Sequence, residues 1–171
     1  INRPEKDEDF IAGNVGPLVS LFGAIDQVSS DRSLPRPLIV LSSSIQAVQG
    51  NPYGDSKLAA EQALRDYSIR TCTPSRIYRL PGIFGKWCRP NYNSVVATFC
   101  HNIARDLAIS VSDPDRVVDL VHIDDVTAEF MTCLTAHTQG VLFAEVRPTF
   151  SISLGDLAAR ITAFRTMRES L

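Results

Sequence analysis

The stretch 36-RPLIVLSSSIQAVQGNPYGDSK-57 changes pattern halfway along, and that change decides the fold. Residues 36–42 are a short continuous apolar run with branched side chains. This predicts a strand buried on both faces, as in a parallel sheet. Ser42, Ser43 and Ser44 close the run. Past the turn residues Gly50, Asn51 and Pro52, residues 53–70 read as a long helix with Leu58, Ala59, Leu64 and Tyr67 among its inward positions. A buried strand feeding a long helix is the unit of an α/β fold.

The alternation continues on both sides. Residues 7–28 predict an amphipathic helix entered through acidic residues, which suit a helix N-terminus, and Pro17 should kink or divide it. "SRIYRLP" (75–81) predicts a second buried strand stopped by Pro81-Gly82. Residues 93–106 read as a helix, 108–111 and 117–121 as short strands, and 124–136 as another helix. Residues 151–170 have the spacing of a last amphipathic helix, capped by Ser151 or Ser153. The expected sheet is mostly parallel, and 171 residues suit a single domain.

Composition removes several classes. With 44% hydrophobic and 21% charged residues the chain reads as a soluble globular protein. Its basic residues are scattered at a net charge of −2, whereas nucleic-acid binding needs a basic stripe. No apolar run approaches the roughly 18 residues of a membrane span, and "INRPEKDEDF" lacks the pattern of a signal peptide. Cys72, Cys88, Cys100 and Cys133 form no CxxC pair, and the adjacent Cys100 and His101 would point to different helix faces. They read as free thiols, with no metal site.

Chemistry concentrates at Tyr53 and Lys57. Four positions apart on a helix, they share a face at about 5–6 Å. A phenol with a pKa of about 10 exchanges protons poorly at neutral pH. An ammonium about 5 Å away at an effective dielectric near 20 favours the phenolate by about 3 kcal/mol. That is about two pKa units, which would bring the hydroxyl near 8. A serine delivered from the end of the preceding strand could hold a substrate oxygen beside the phenol, because open α/β sheets bind ligands at strand C-termini. Tyrosine and lysine at this spacing also occur on solvated helices, so the pair alone is weak. The upstream serine-ended strand, and small Gly54 and Ser56 between the two, strengthen it.

"LSSS…NPYGDSKLAAEQ" resembles the active-site segment of the extended short-chain dehydrogenase/reductases, the NAD(P)-dependent sugar epimerase/dehydratase family. The resemblance implies a catalytic set of Ser44, Tyr53 and Lys57. The nine positions from Ser44 to Tyr53 are fewer than in most members, which leaves either Ser43 or Ser44 to face the substrate. "AGNVGPLVSLFGAI" resembles the helix carrying the family's relay asparagine, here Asn14. "SRIYRLPGIFGKW" resembles the strand and loop whose backbone at Pro81, Gly82 and Ile83 would contact the nicotinamide, beside Tyr53 and Lys57. "NYNSVVATFCHNIAR" resembles a segment in which Asn93 would touch the diphosphate of a nucleotide sugar. "DRVVDLVHIDDVTAEF" resembles another, with Arg116 as a phosphate ligand. Asn93 could instead cap a helix, and Arg116 could be a turn residue. Trp87 and Tyr92 line the sugar pocket or cover the core.

These segments occur in the family's order over about residues 1–136. Their combination is most similar to the reductases of capsular polysaccharide synthesis, in which a cupin domain follows the reductase. The resemblance implies a cytoplasmic, homo-oligomeric oxidoreductase that reduces a 4-keto nucleotide sugar with NADP or NAD. An epimerase or dehydratase with retained NAD would use the same residues.

One part of the family pattern is not found. The family cradles its dinucleotide in a glycine-rich turn between a strand and a helix, where backbone and helix dipole meet the pyrophosphate. "AGNVGP" (12–17) falls within a predicted helix with no strand before it, which rejects it as that turn. The expected architecture is therefore an incomplete Rossmann-like doubly wound parallel sheet with flanking helices and a small C-terminal substrate-binding part. Such a sheet would expose an apolar edge, and an inactive fragment acting by association is the non-enzymatic alternative.

Overall fold

The computed structural model describes residues 6–136 and 139–167, which fall into two compact units. In chain order the elements are α1 (Glu8–Arg32), β1 (Ile39–Ser44), a 3₁₀ turn (Ile45–Val48), α2 (Pro52–Thr71), β2 (Ser75–Leu80) and β3 (Gly82–Phe84). They continue with α3 (Val95–Ile103), β4 (Val117–His122), α4 (Ile123–Thr135), β5 (Val141–Ala144), β6 (Phe150–Ser153) and α5 (Leu154–Thr166).

The first unit takes the described residues up to Leu80 with Glu129–Glu145. Its sheet is wholly parallel in the order β1-β2-β5, with Ile39 opposite Ser75 and Ser75 opposite Val141. The core joins Phe22 of α1, Leu64 and Tyr67 of α2, Ile39 of β1 and Ile77 of β2. Phe22 and Tyr67 stack with ring centroids 4.0 Å apart and planes within 4°. Asp26 accepts hydrogen bonds from Arg36 (2.6 Å) and from the Tyr67 hydroxyl (2.9 Å), which closes one end of this packing. Leu64 and Tyr67 thus face inward as expected. Leu58 does not: it is exposed, and Ala60, Glu61 and Ser68 take inward positions instead.

Pro17 lies within α1 and does not divide it. Proline forfeits one backbone hydrogen bond, but packing of the apolar face stabilises a helix more than any single bond does. α1 lies along α2 through Phe22 and its neighbours Leu18 and Ile25.

The second unit takes Pro81–Ala128 and the described residues from Val146 onward. Its sheet is mixed: β3 pairs with β4 in parallel, and β6 pairs with β4 antiparallel. Three differences from the sequence reading arise here. Residues 82–84, expected as loop, form strand β3. Residues 108–111 form no strand, because the end of α3 engages their neighbourhood: the Leu107 amide donates to the Asn102 carbonyl (2.9 Å) and Asn102 Nδ2 donates to the Ala108 carbonyl (3.1 Å). Ser151 lies in β6 and donates to Asp119 (2.5 Å). Ser153 is the cap of α5, accepting from the Asp156 amide (3.1 Å). Residues 168–170 of the expected last helix lie outside the described residues.

Candidate active site

The site is built where β1 hands over to α2. Ser44 ends the strand in extended backbone, and its Oγ accepts from the Gln46 amide (3.2 Å), capping the 3₁₀ turn. Asn51 then caps α2 by accepting from the Gly54 amide (2.9 Å). Pro52 follows in the first turn, where it wastes no donor. Gly54 is required by close approach: a Cβ there would sit 2.0 Å from the Gln46 carbonyl oxygen. Only glycine lets α2 abut the turn this closely, and that places Tyr53 beside Ser44.

Tyr53 is half-buried. The ring of Phe10, from the first turn of α1, meets it edge-on at 5.7 Å between centroids. Burial pushes the Tyr53 phenol above its usual pKa, while its interaction with the Ser44 side chain pulls the other way. Lys57 is also half-buried, with Nζ 5.7 Å from the centre of the Tyr53 ring, and burial pushes its ammonium down. Burial thus shifts the phenol in the direction opposite to the one expected from the Lys57 charge. Desolvation disfavours the charged form of both groups. A protonated phenol beside a serine hydroxyl can donate a proton to a bound oxygen.

Asn14 donates from Nδ2 to Ser56 Oγ (2.9 Å), and the Ser56 hydroxyl donates to the Tyr53 carbonyl (2.7 Å). Asn14 thus grips the backbone turn that carries Tyr53. Ser43 and Ser44 are both buried at the end of β1. Ser44 lies on the Tyr53 side, and Ser43 donates to the buried carboxylate of Glu61 (2.5 Å).

The other sequence-predicted residues belong to the second unit and are described within it. Gly82 and Ile83 are exposed in β3 opposite Leu120 and Val121, and Pro81 is partly exposed just before them. Trp87 is 98% exposed, in a loop with left-handed backbone at Trp87 and Asn91. Asn93 is exposed and precedes the true cap of α3, Ser94, which accepts from the Ala97 amide (3.3 Å). Arg116 is exposed ahead of β4, and its carbonyl accepts from the Leu154 amide (2.9 Å). The second unit also holds a cavity of about 1110 Å³ lined by residues such as Phe84, Val96, Cys100, Ile161 and Phe164, with Arg160 beside them.

Among the described residues Lys57 makes no ion pair, so its ammonium has donors to offer, and the Tyr53 hydroxyl stands on the same helix face. These groups fit the ribose-and-nicotinamide end of a dinucleotide. The glycine run 12–17 is helical within α1, and no strand–glycine turn–helix cradle for a pyrophosphate occurs among the described residues.

Residues 27–143 match the model of the NAD dependent epimerase/dehydratase family, and the chain belongs to that family. Over all 171 residues the chain is 43% identical to UDP-2-acetamido-2,6-beta-L-arabino-hexul-4-ose reductase of Pseudomonas aeruginosa, of which it spans 45%. The crystal structure of the capsular polysaccharide assembling protein CapF from Staphylococcus aureus is similar, at 42% identity and a TM-score of 0.73. That match covers 84% of this chain and 41% of CapF. UDP-glucose 4-epimerase of Thermus thermophilus, solved with NAD, shares the fold at 19% identity and a TM-score of 0.72, covering 88% of this chain and 53% of that one. The chain thus spans less than half the length of its reductase and CapF relatives.

Proposed function

We propose that this chain carries the proton-transfer and substrate-binding portion of an NAD(P)-dependent oxidoreductase. Its substrate would be a UDP-linked 4-keto deoxysugar destined for capsule or surface polysaccharide. The observation that carries this reading is geometric: the half-buried Tyr53 phenol has Ser44 beside it and Lys57 Nζ 5.7 Å from its ring centre. Likeness to a UDP-keto-sugar reductase and to CapF supports the substrate class.

In this reading Ser44 holds the sugar's carbonyl oxygen and Tyr53 Oη donates its proton to that oxygen as the carbonyl is reduced. A bound nicotinamide cofactor supplies the hydride. Lys57 binds the cofactor's ribose hydroxyls and favours the phenolate left behind by proton donation. Asn14, through Ser56, fixes the turn that presents Tyr53. Pro81, Gly82 and Ile83 contact the nicotinamide, while Asn93, Arg116 and Trp87 contact the nucleotide sugar. We place the protein in the cytoplasm as a homo-oligomer; no described helix is long and apolar enough to cross a membrane.

The family also contains epimerases and dehydratases, and the same residues could serve a cycle with retained cofactor. NADPH absorbance separates the readings. Steady consumption in proportion to the UDP-4-keto sugar added supports the reductase, and sugar conversion without net consumption overturns it.

A further inference from the structure

A buried charge lies on the same helix as Tyr53 and Lys57. Glu61, one turn beyond Lys57 on α2, is 1% exposed. Its carboxylate accepts from Arg79 Nε (2.9 Å) and Arg79 Nη2 (2.6 Å), and from the Ser43 hydroxyl (2.5 Å). Arg79 and Ser43 are register partners on β2 and β1. Arg79 is held above its ordinary pKa chiefly by the Glu61 hydrogen bonds, and its guanidinium lies 4.9 Å from the centre of the Phe143 ring.

A buried carboxylate needs charge-assisted partners of good geometry, and such sites are more demanding of position than apolar contacts are. Here one group from β1 and one from β2 meet at one carboxylate on α2. Ser43 is the residue directly before Ser44, and Glu61 shares a helix with Tyr53 and Lys57. Whatever fixes Ser43 to Glu61 therefore fixes the strand end against the helix face.

We propose that Glu61 is a positioning residue: by binding Ser43 and Arg79 it locks the end of β1 to α2 and so sets the Ser44 hydroxyl against the Tyr53 phenol. This rests on the reading of Ser44, Tyr53 and Lys57 as the reacting groups. Glu61 touches none of them and acts through the backbone between Ser43 and Ser44.

The test compares Glu61→Gln, Ser43→Ala and Tyr53→Phe, with the tyrosines labelled at ¹³Cζ. Loss of one resonance in Tyr53→Phe assigns Tyr53. In Glu61→Gln that resonance should move from its wild-type position, and kcat for UDP-4-keto-sugar reduction should fall about 100-fold with KM little changed, as misplacement near 1 Å does. If Glu61→Gln fails to fold, Ser43→Ala removes one hydrogen bond and keeps the ion pair, and must move the same resonance. An unmoved Tyr53 resonance in whichever of these variants folds overturns the proposal. Wild-type turnover in Tyr53→Phe would instead overturn the underlying assignment of the site, while a moved resonance still supports the clamp.

Discussion

At the scale of single residues, the site consists of groups whose burial opposes their charge. Lys57 is the clearest case. Its folded pKa is depressed by burial, so the folded state holds that proton less tightly than the unfolded chain. Carrying the ammonium therefore costs stability at neutral pH, and the cost is relieved as pH rises from the folded pKa and is gone above the unfolded one. Lys57→Met should accordingly raise the melting temperature at pH 7 and abolish turnover, the pattern expected where function is built on a strained group. Calorimetry on the variant decides it: a lowered melting temperature contradicts this account. Tyr53 has the opposite sign. Its raised pKa means the proton is held more tightly in the folded state, so that contribution is full below the unfolded pKa and lost as pH rises through the folded one. Tyr53 and Lys57 were legible from their spacing on one helix, whereas Ser44 and Asn14 were named through the resemblance of their segments to the family. The sequence did not reveal Phe10 against Tyr53, nor the Arg79 partner of Glu61, because both contacts join distant segments and neither residue type is unusual at its position.

At the scale of elements, the junction between β1 and α2 carries the site, and its turn residues are not interchangeable. Gly54→Ala would drive a Cβ against the Gln46 carbonyl and push α2 off the 3₁₀ turn. We expect a loss of about 1–3 kcal/mol, the usual cost of overpacking, read as a lower urea midpoint at unchanged slope. Asn51→Ala, which removes only the cap of α2, should cost about 1 kcal/mol. β1, α2 and β2 were legible because each is a long or continuous pattern bounded by glycine and proline. β3, β5 and β6 span three or four residues each, too few to show a period, and they exist because their partners do. Residues 108–111 had the composition of a strand, but their neighbourhood is hydrogen-bonded to the end of α3.

At the scale of the whole molecule, the described residues provide groups for the reacting end of a dinucleotide and no glycine-rich cradle for its phosphates. NADPH should therefore bind this 171-residue chain more weakly than micromolar, and a fluorescence titration giving micromolar affinity would contradict that. The fold class was legible from alternating strand and helix patterns, whereas the division into two units was not, since it depends on which distant segments pack together. Proton donation from Tyr53 to a UDP-4-keto sugar is the step on which the proposed function turns. Its most direct test is NADPH consumption with that sugar by Tyr53→Phe in an active preparation. The account predicts a fall of about 10²–10⁴-fold, the usual worth of a general acid, with an unchanged melting temperature. Turnover near that of the unaltered protein would contradict it.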